Sequence, residues 1–246
     1  MDLSNPPFLP RRDHALDLLK WLAMLSMVLD HLRYVGWSAD WLYIPGRLAF
    51  AWFCLAIAVN LARRSAAETG PRIRWRYLAW MAGFAVLSEL PYRLFMPQAQ
   101  TLNVLPTLLL GLLVAQGWRQ RMPQTRTMAL LALLLAALFQ QHLMFGFAGV
   151  MLPLVMLMVL QRPLWLAVFP AVVCVAGNAW PEMLAGLRWG DAVSIGALLV
   201  CLLAPLAGLL LLRRKLSLAI WPMRRWAYAI YPAHFVALWG LMQWVV

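Results

Sequence analysis

A few ionisable side chains lie inside long apolar segments of the chain. Asp30 and His31 come near the end of the first segment, and His234 lies within the last one. An ionisable side chain is expensive inside a bilayer, so its presence there indicates a functional site. A histidine titrates near neutral pH and suits general acid–base chemistry. We therefore predict that His31 is a general base and that His234 is a second catalytic candidate.

Asp30 is predicted to orient another group or to balance charge. It cannot hydrogen-bond directly to its neighbour His31, because consecutive side chains on a helix point about 100° apart. Its expected partners are Arg33, Tyr34 or a residue of another helix.

Further polar residues stand at the ends of the apolar segments. Arg47 opens the second segment and Asn103 the fourth, and either could stabilise an oxyanion that develops during a reaction. Glu89 and Arg93 are spaced i, i+4 on the third segment, so they can pair on one helix face. That pair could be structural or could lie on the substrate side of the site, and a structural ion pair is equally open for Asp30 with Arg33.

The elements that must position these residues are membrane helices. The chain has 246 residues, of which 64% are hydrophobic and 12% charged, with a mean hydropathy of +0.73. Soluble proteins are about 45–50% apolar, which excludes a soluble globular protein. A membrane helix needs ~20 apolar residues, and the chain divides into nine apolar segments: 15–35, 43–62, 75–95, 102–118, 127–145, 147–161, 164–180, 192–212 and 226–246. We predict an all-α polytopic helix bundle, a single domain over residues 15–246 that follows a cytoplasmic lead-in at 1–14.

The distribution of basic residues predicts the orientation. The chain has 21 Lys and Arg against 9 Asp and Glu, a net charge of +12. Nine spans with a cytoplasmic N-terminus put 17 of the 21 basic residues on the inner side, as the positive-inside rule requires. A two-span interpretation of 127–180 would instead place Arg213, Arg214 and Lys215 outside. We therefore expect nine spans, a periplasmic C-terminus and contact with the lipid bilayer, and no nucleic-acid partner. The other four basic residues fall in the outer half: Arg33, Arg47, Arg93 and Arg188.

Arginines collect on the predicted cytoplasmic side. The guanidinium fork binds phosphate in a bidentate manner, so a phosphorylated cosubstrate from the cytosol would meet them there. The positive-inside bias and contact with lipid headgroups explain the same residues without a ligand. The three cysteines show no metal-ligand spacing, and no metal site is predicted. The predicted phosphate-binding residues are Arg11, Arg12, Arg63, Arg64, Arg72, Arg74 and Arg76.

The first two segments resemble the N-terminal signature of the TraX family, the conjugative F-pilin acetylases. That signature has Asp-His at the end of span one, then Gly-Arg-x-x-Phe, then Asn and a basic end on span two. Weaker similarities follow in "FGFAGVML" and "YAIYPAHFVAL", and the resemblance extends over nearly the whole chain from about residue 15. Ala51 departs from the pattern, since the family often has Pro there. The matching residues are Asp30, His31, Gly46, Arg47, Phe50, Asn60, Arg63, Asn103, Gly146, Gly149, Tyr231 and His234.

The resemblance implies a multi-pass N-acetyltransferase of the bacterial inner membrane. Such an enzyme would take acetyl from cytosolic acetyl-CoA and pass it to the N-terminal amine of a processed pilin at the periplasmic side. The alternatives are an acyltransferase for a cell-surface glycan or lipid, a non-enzymatic factor for pilus assembly or insertion, and a transporter. Direct transfer and a transient acetyl-histidine both remain open, as do the acceptor and the oligomeric state.

Overall fold

The computed structural model describes residues 13–36, 39–63, 73–223 and 225–245, and over these ranges the chain is helical without a strand. This confirms the predicted all-α fold. Ten α-helices are present in the described part: α1 His14–Leu32, α2 Tyr43–Ala62, α3 Trp75–Phe95, α4 Val104–Gln120, α5 Pro123–Leu138, α6 Gly146–Val159, α7 Val168–Gly177, α8 Pro181–Arg188, α9 Ala192–Arg213 and α10 Ile230–Val245.

Side-chain caps and prolines determine where several helices begin. The Asp13 carboxylate accepts hydrogen bonds from the backbone N–H groups of residues 15 and 16 at the start of α1. Asn103 caps α4 in the same way, and Pro123 occupies the first turn of α5, where the missing N–H has no cost. Asp191 caps α9 outside the apolar segment, and the hydrogen bonds it accepts from Ser194 hold the pKa of its carboxyl below the usual value. Of the predicted lead-in at 1–14, only its last two residues are described.

Helix α8 was not predicted from the sequence. It has eight residues and carries both Glu182 and Arg188, so it is too short and too polar to show as an apolar segment. Together with the apolar helix before it, α8 forms a pair bent by 102°.

Among the described residues, two helices are long and apolar enough to cross a membrane. They are Asp40–Ala62, which includes α2, and Ala192–Arg213. The bent pair Leu164–Gly177 and Pro181–Arg188 adds a third if it forms one span, and α5 and α6 are shorter apolar helices. These features support a membrane protein, while the count of nine spans and the orientation of the termini stay predictions.

Helices α1 and α2 form an antiparallel hairpin that is tied at both ends. Asp13, before α1, pairs with Arg63, after α2. Asp30, near the end of α1, pairs with Arg47, near the start of α2, with 2.6 Å between the oxygen and the nitrogen. Helix α2 also packs against α6 and α9 and is buried along most of its length, while α3 packs against α10. The hairpin thus holds the end of α1 beside the start of α2.

Candidate functional site

The two histidines from opposite ends of the chain are hydrogen-bonded to each other. His31 Nδ1 and His234 Nε2 are 2.9 Å apart, although the residues are separated by 203 positions. The rings are inclined by only 16°. On the other side of its ring, His234 Nδ1 lies 3.3 Å from the carbonyl oxygen of Ile230. The structure therefore joins two predicted catalytic residues in one pair.

Aromatic side chains surround this histidine pair. The Phe235 ring centroid lies 5.0 Å from that of His31 and 4.0 Å from that of His234. Phe95 approaches His31 edge-on. His234 is only 7% exposed, whereas His31 is half-buried. His31 is thus the more accessible member of a pair held in apolar surroundings.

Asp30, the neighbour of His31 in the chain, is held by two arginines. Arg33 Nε donates to one carboxylate oxygen at 3.1 Å, as the i, i+3 spacing allows. Arg47 Nη2 donates to the other oxygen at 2.6 Å from helix α2. Asp30 therefore pairs with Arg33 and with a residue of another helix, as predicted. The three charges sum to +1, beside the histidine pair.

Arg47 is buried, at 6% exposure, and directs its nitrogens into the protein. Besides Asp30, its Nη1 donates to the side-chain oxygen of Asn178 at 2.9 Å, and its Nε donates to the carbonyl oxygen of Tyr43 at 3.3 Å. The guanidinium also lies 4.0 Å from the Tyr43 ring centroid. These contacts fit a residue that fixes Asp30 and contributes charge better than one that reaches out to a substrate oxygen.

Gly46 allows the two helices to approach at Asp30. A Cβ at position 46 would lie 2.5 Å from Asp30 Cβ and 2.6 Å from its Cγ, closer than atoms can pack. The glycine next to Arg47 thus has a steric role, because any larger residue would push the carboxylate away from its arginine.

Asn178 belongs to this network and was missed in the sequence. It follows the last turn of α7 and is buried, and its amide nitrogen donates to the carbonyl oxygen of Cys174 at 2.8 Å while its oxygen accepts from Arg47. The available signal was an amide within the apolar segment 164–180, where a polar group needs a partner.

Glu89, Arg93 and Asn103 form a second network. Arg93 Nε donates to Glu89 at 2.8 Å, which realises the predicted i, i+4 pair. The side-chain nitrogen of Asn103 donates both to Glu89 Oε2 at 2.7 Å and to the carbonyl oxygen of Ala85 at 2.8 Å. Its oxygen accepts from the backbone of Leu105. Both amide hydrogens are thereby used inside the fold, so the geometry gives Asn103 a structural role in place of the predicted oxyanion contact.

A cavity of about 850 Å³ lies among α1, α2, α3, α4 and α10. Three basic residues line it, Lys20, Arg74 and Arg76, and its wall is otherwise largely apolar and aromatic. Val104 and Tyr231 also line the cavity. The cavity thus connects basic residues with the start of α4 and with α10.

Tyr231 joins this cavity to the histidine pair. Its ring centroid is 5.5 Å from that of His234, one helical turn further along α10. Its hydroxyl accepts a hydrogen bond from the backbone N–H of Val104 at 3.2 Å. Neither histidine lines the cavity, so Tyr231 lies between the cavity and the histidine pair.

The predicted phosphate-binding arginines have different surroundings. Arg74 and Arg76 line the cavity, and Arg74 Nη2 also donates to the carbonyl oxygen of Arg63 at 2.6 Å. Arg63 itself pairs with Asp13, and its Nε is buried without a hydrogen-bond partner among the described residues. The other four lie outside the described residues: Arg11, Arg12, Arg64 and Arg72.

The family model described as TraX protein matches residues 15–242. The chain belongs to the TraX family. No curated protein and no solved structure matches it. The match includes the histidine pair, both ion-pair networks and the residues that line the cavity. Membership of the TraX family connects this protein with conjugation and with pilin.

Proposed function

We propose that this TraX-family protein is an acetyltransferase of the bacterial inner membrane. It would pass acetyl from cytosolic acetyl-CoA to an acceptor at the periplasmic side, and the preferred acceptor is the N-terminal amine of a processed pilin. The proposal rests on one observation. The His31–His234 pair lies next to Tyr231, and Tyr231 also lines a large cavity that has basic residues in its wall.

The residues that line the cavity fit acetyl-CoA. Lys20, Arg74 and Arg76 offer cationic groups for its phosphates. The apolar wall suits a long, uncharged arm. When bound, acetyl-CoA would supply the acetyl group as a thioester.

The histidine pair provides the proton acceptor that amine acetylation requires. An α-amine has a pKa of ~7.7–8.0, so part of it is protonated at neutral pH, and only the neutral form can attack a carbonyl. During transfer an N–C bond forms and the C–S bond breaks. The histidine pair accepts the amine proton, which then neutralises the departing thiolate sulfur. The products are the acetylated amine and free CoA.

The charge of the Asp30 network suits the step in which a negative oxygen forms. Asp30, Arg33 and Arg47 together carry one net positive charge next to His31 in the chain. A fixed positive charge in an apolar surrounding stabilises the negative oxygen that forms when an amine attacks a thioester. The network therefore acts through its net positive charge, and its ion pairs join α1 to α2.

The proposal is tested by the intact mass of the pilin. Pilin from cells that carry the wild-type protein should be heavier by one acetyl group than pilin from cells that carry His31→Ala. The matched control is His142→Ala, because His142 is exposed in a short turn and has no contact with either histidine of the pair among the described residues. The proposal is wrong if the pilin N-terminus is equally acetylated with both variants, or is never acetylated.

A further inference from the structure

We infer that His31 Nε2 is the atom that accepts the proton and that His234 is a positioning residue, which holds His31 in the required tautomer. The inference rests on the proposed acetyltransferase function. The geometry that supports it is a series of two hydrogen bonds that joins Ile230, His234 and His31. The first bond determines the tautomer of His234, and the second determines the tautomer of His31.

The first hydrogen bond is made to the carbonyl oxygen of Ile230, which can only accept. His234 Nδ1 lies 3.3 Å from this oxygen and must therefore carry the hydrogen. In a neutral imidazole the other nitrogen then has the lone pair. His234 Nε2 is thus an acceptor that faces His31.

The second link determines the state of His31. His31 Nδ1 lies 2.9 Å from His234 Nε2, and because Nε2 has no hydrogen, Nδ1 must donate. The lone pair of neutral His31 is then on Nε2, the nitrogen not used in the pair. This tautomer presents a proton acceptor to a substrate, whereas the opposite tautomer would present an N–H group.

The alternative tautomer of His234, with its hydrogen on Nε2, is unfavourable. If His234 donated from Nε2, its Nδ1 lone pair would face the carbonyl oxygen of Ile230, and two acceptors would lie 3.3 Å apart. His234 is buried, so water does not readily relieve this contact. The backbone of α10 therefore selects the tautomer of His234, and His234 selects that of His31.

The pair also accommodates the proton that the reaction delivers. Transfer from the acceptor amine to His31 Nε2 gives an imidazolium whose Nδ1–H still donates to His234 Nε2. That hydrogen bond becomes charge-assisted and so stronger. The proton leaves from Nε2 when the thiolate of CoA is neutralised, which returns His31 to its starting form.

The tautomer can be measured without any activity. In purified full-length protein with 15N-labelled histidine, at a pH where the ring is neutral, NMR should show His31 Nε2 without a hydrogen and Nδ1 with one. A His31→Gln sample assigns the signal. In His234→Leu the preference for this tautomer should disappear. A hydrogen on Nε2 of His31 in the wild-type protein would overturn the inference, whether or not the protein transfers acetyl.

Two substitutions of His234 distinguish positioning from direct chemistry. His234→Gln retains a side-chain oxygen that can accept from His31 Nδ1, and His234→Leu retains none. For acetyl transfer to a peptide with a free N-terminus, Leu should lower kcat by about 10²- to 10⁴-fold with an unchanged KM for acetyl-CoA, and Gln should restore most of kcat. Equal kcat in the Gln and Leu variants, whether both are lost or both kept, would contradict a positioning role. An inactive wild-type protein with the expected NMR signal would count against the proposed function alone.

Discussion

Replacing Gly46 with Ala tests the close approach of α1 and α2. The added Cβ would lie 2.5 Å from Asp30 Cβ, an atom next to the α1 backbone that cannot swing away. Carbon atoms pack at about 3.5–4.0 Å, so the two helices must separate there by roughly 1 Å or more. The bond of 2.6 Å from Arg47 to Asp30 would then lengthen beyond hydrogen-bonding distance.

The size of the effect follows from this displacement. Overpacking a well-packed site costs about 1–3 kcal/mol, and the cost rises towards ~5 kcal/mol if a buried charge loses its partner. A loss of about 2 kcal/mol in a protein of this length lowers Tm by roughly 4 to 8 °C. Because His31 follows Asp30 directly, a shift of about 1 Å should also slow acetyl transfer by roughly 10²-fold.

The measurement is thermal unfolding of the purified protein in detergent, together with acetyl transfer to a peptide amine. Gly83→Ala is the matched control, since Gly83 is also inside a helix but a Cβ there would meet nothing within 4 Å. The control should unfold no earlier than the wild-type protein, because Ala favours a helix over Gly. If Gly46→Ala unfolds and transfers acetyl like Gly83→Ala, the steric argument is wrong.

Asn178→Leu leaves a buried guanidinium nitrogen without its acceptor and should lower the free energy of unfolding by about 1–3 kcal/mol, measured by denaturation in detergent; an unchanged value would contradict the contact. Asn103→Ala removes the cap of α4 and should lower Tm while kcat per folded molecule stays constant, and a fall in kcat at constant Tm would instead favour an oxyanion role. Arg74→Gln combined with Arg76→Gln should weaken the binding of CoA at least about tenfold and reduce its salt dependence, as measured by calorimetry. Arg126→Gln, on the exposed start of α5, removes a similar charge outside the cavity and should leave CoA binding unchanged.

Local pairs could be predicted from the sequence because helix geometry alone determines them. The i, i+3 and i, i+4 spacings put Asp30 with Arg33 and Glu89 with Arg93, and both pairs form. The bounds of α2 and α3 were predicted without error, and a charged residue marks one end of each segment, Arg63 after α2 and Arg74 before α3.

Contacts between distant segments could not be predicted in the same way. Nothing in the spacing of His31 and His234 indicates that α1 and α10 place them 2.9 Å apart. The cavity likewise depends on how several helices pack, since its wall combines residues of α1, α2, α3, α4 and α10.

The two asparagines show a different limit. Asn103 was predicted to act in chemistry, but its position directly before a helix is typical of an N-cap, and its hydrogen bonds serve the fold. Asn178 was not predicted because a single uncharged amide inside an apolar segment is a weak signal for a functional site. Its side chain nevertheless accepts a hydrogen bond from the buried Arg47. Burial and partners, which the sequence does not give, separate the two roles.

The position of Tyr231 bears on the transmembrane potential of the cell that makes this protein. A protein that transfers a group across a membrane must be accessible from both faces. A continuous water-filled path past histidines would also conduct protons and dissipate the transmembrane potential. The Tyr231 ring separates the cavity from the histidine pair, and its hydroxyl is tied to the backbone of α4. In the proposed orientation the Tyr231 ring would interrupt such a route, and replacing Tyr231 with Gly should raise proton leakage across vesicles that contain the protein, measured with a pH-sensitive dye.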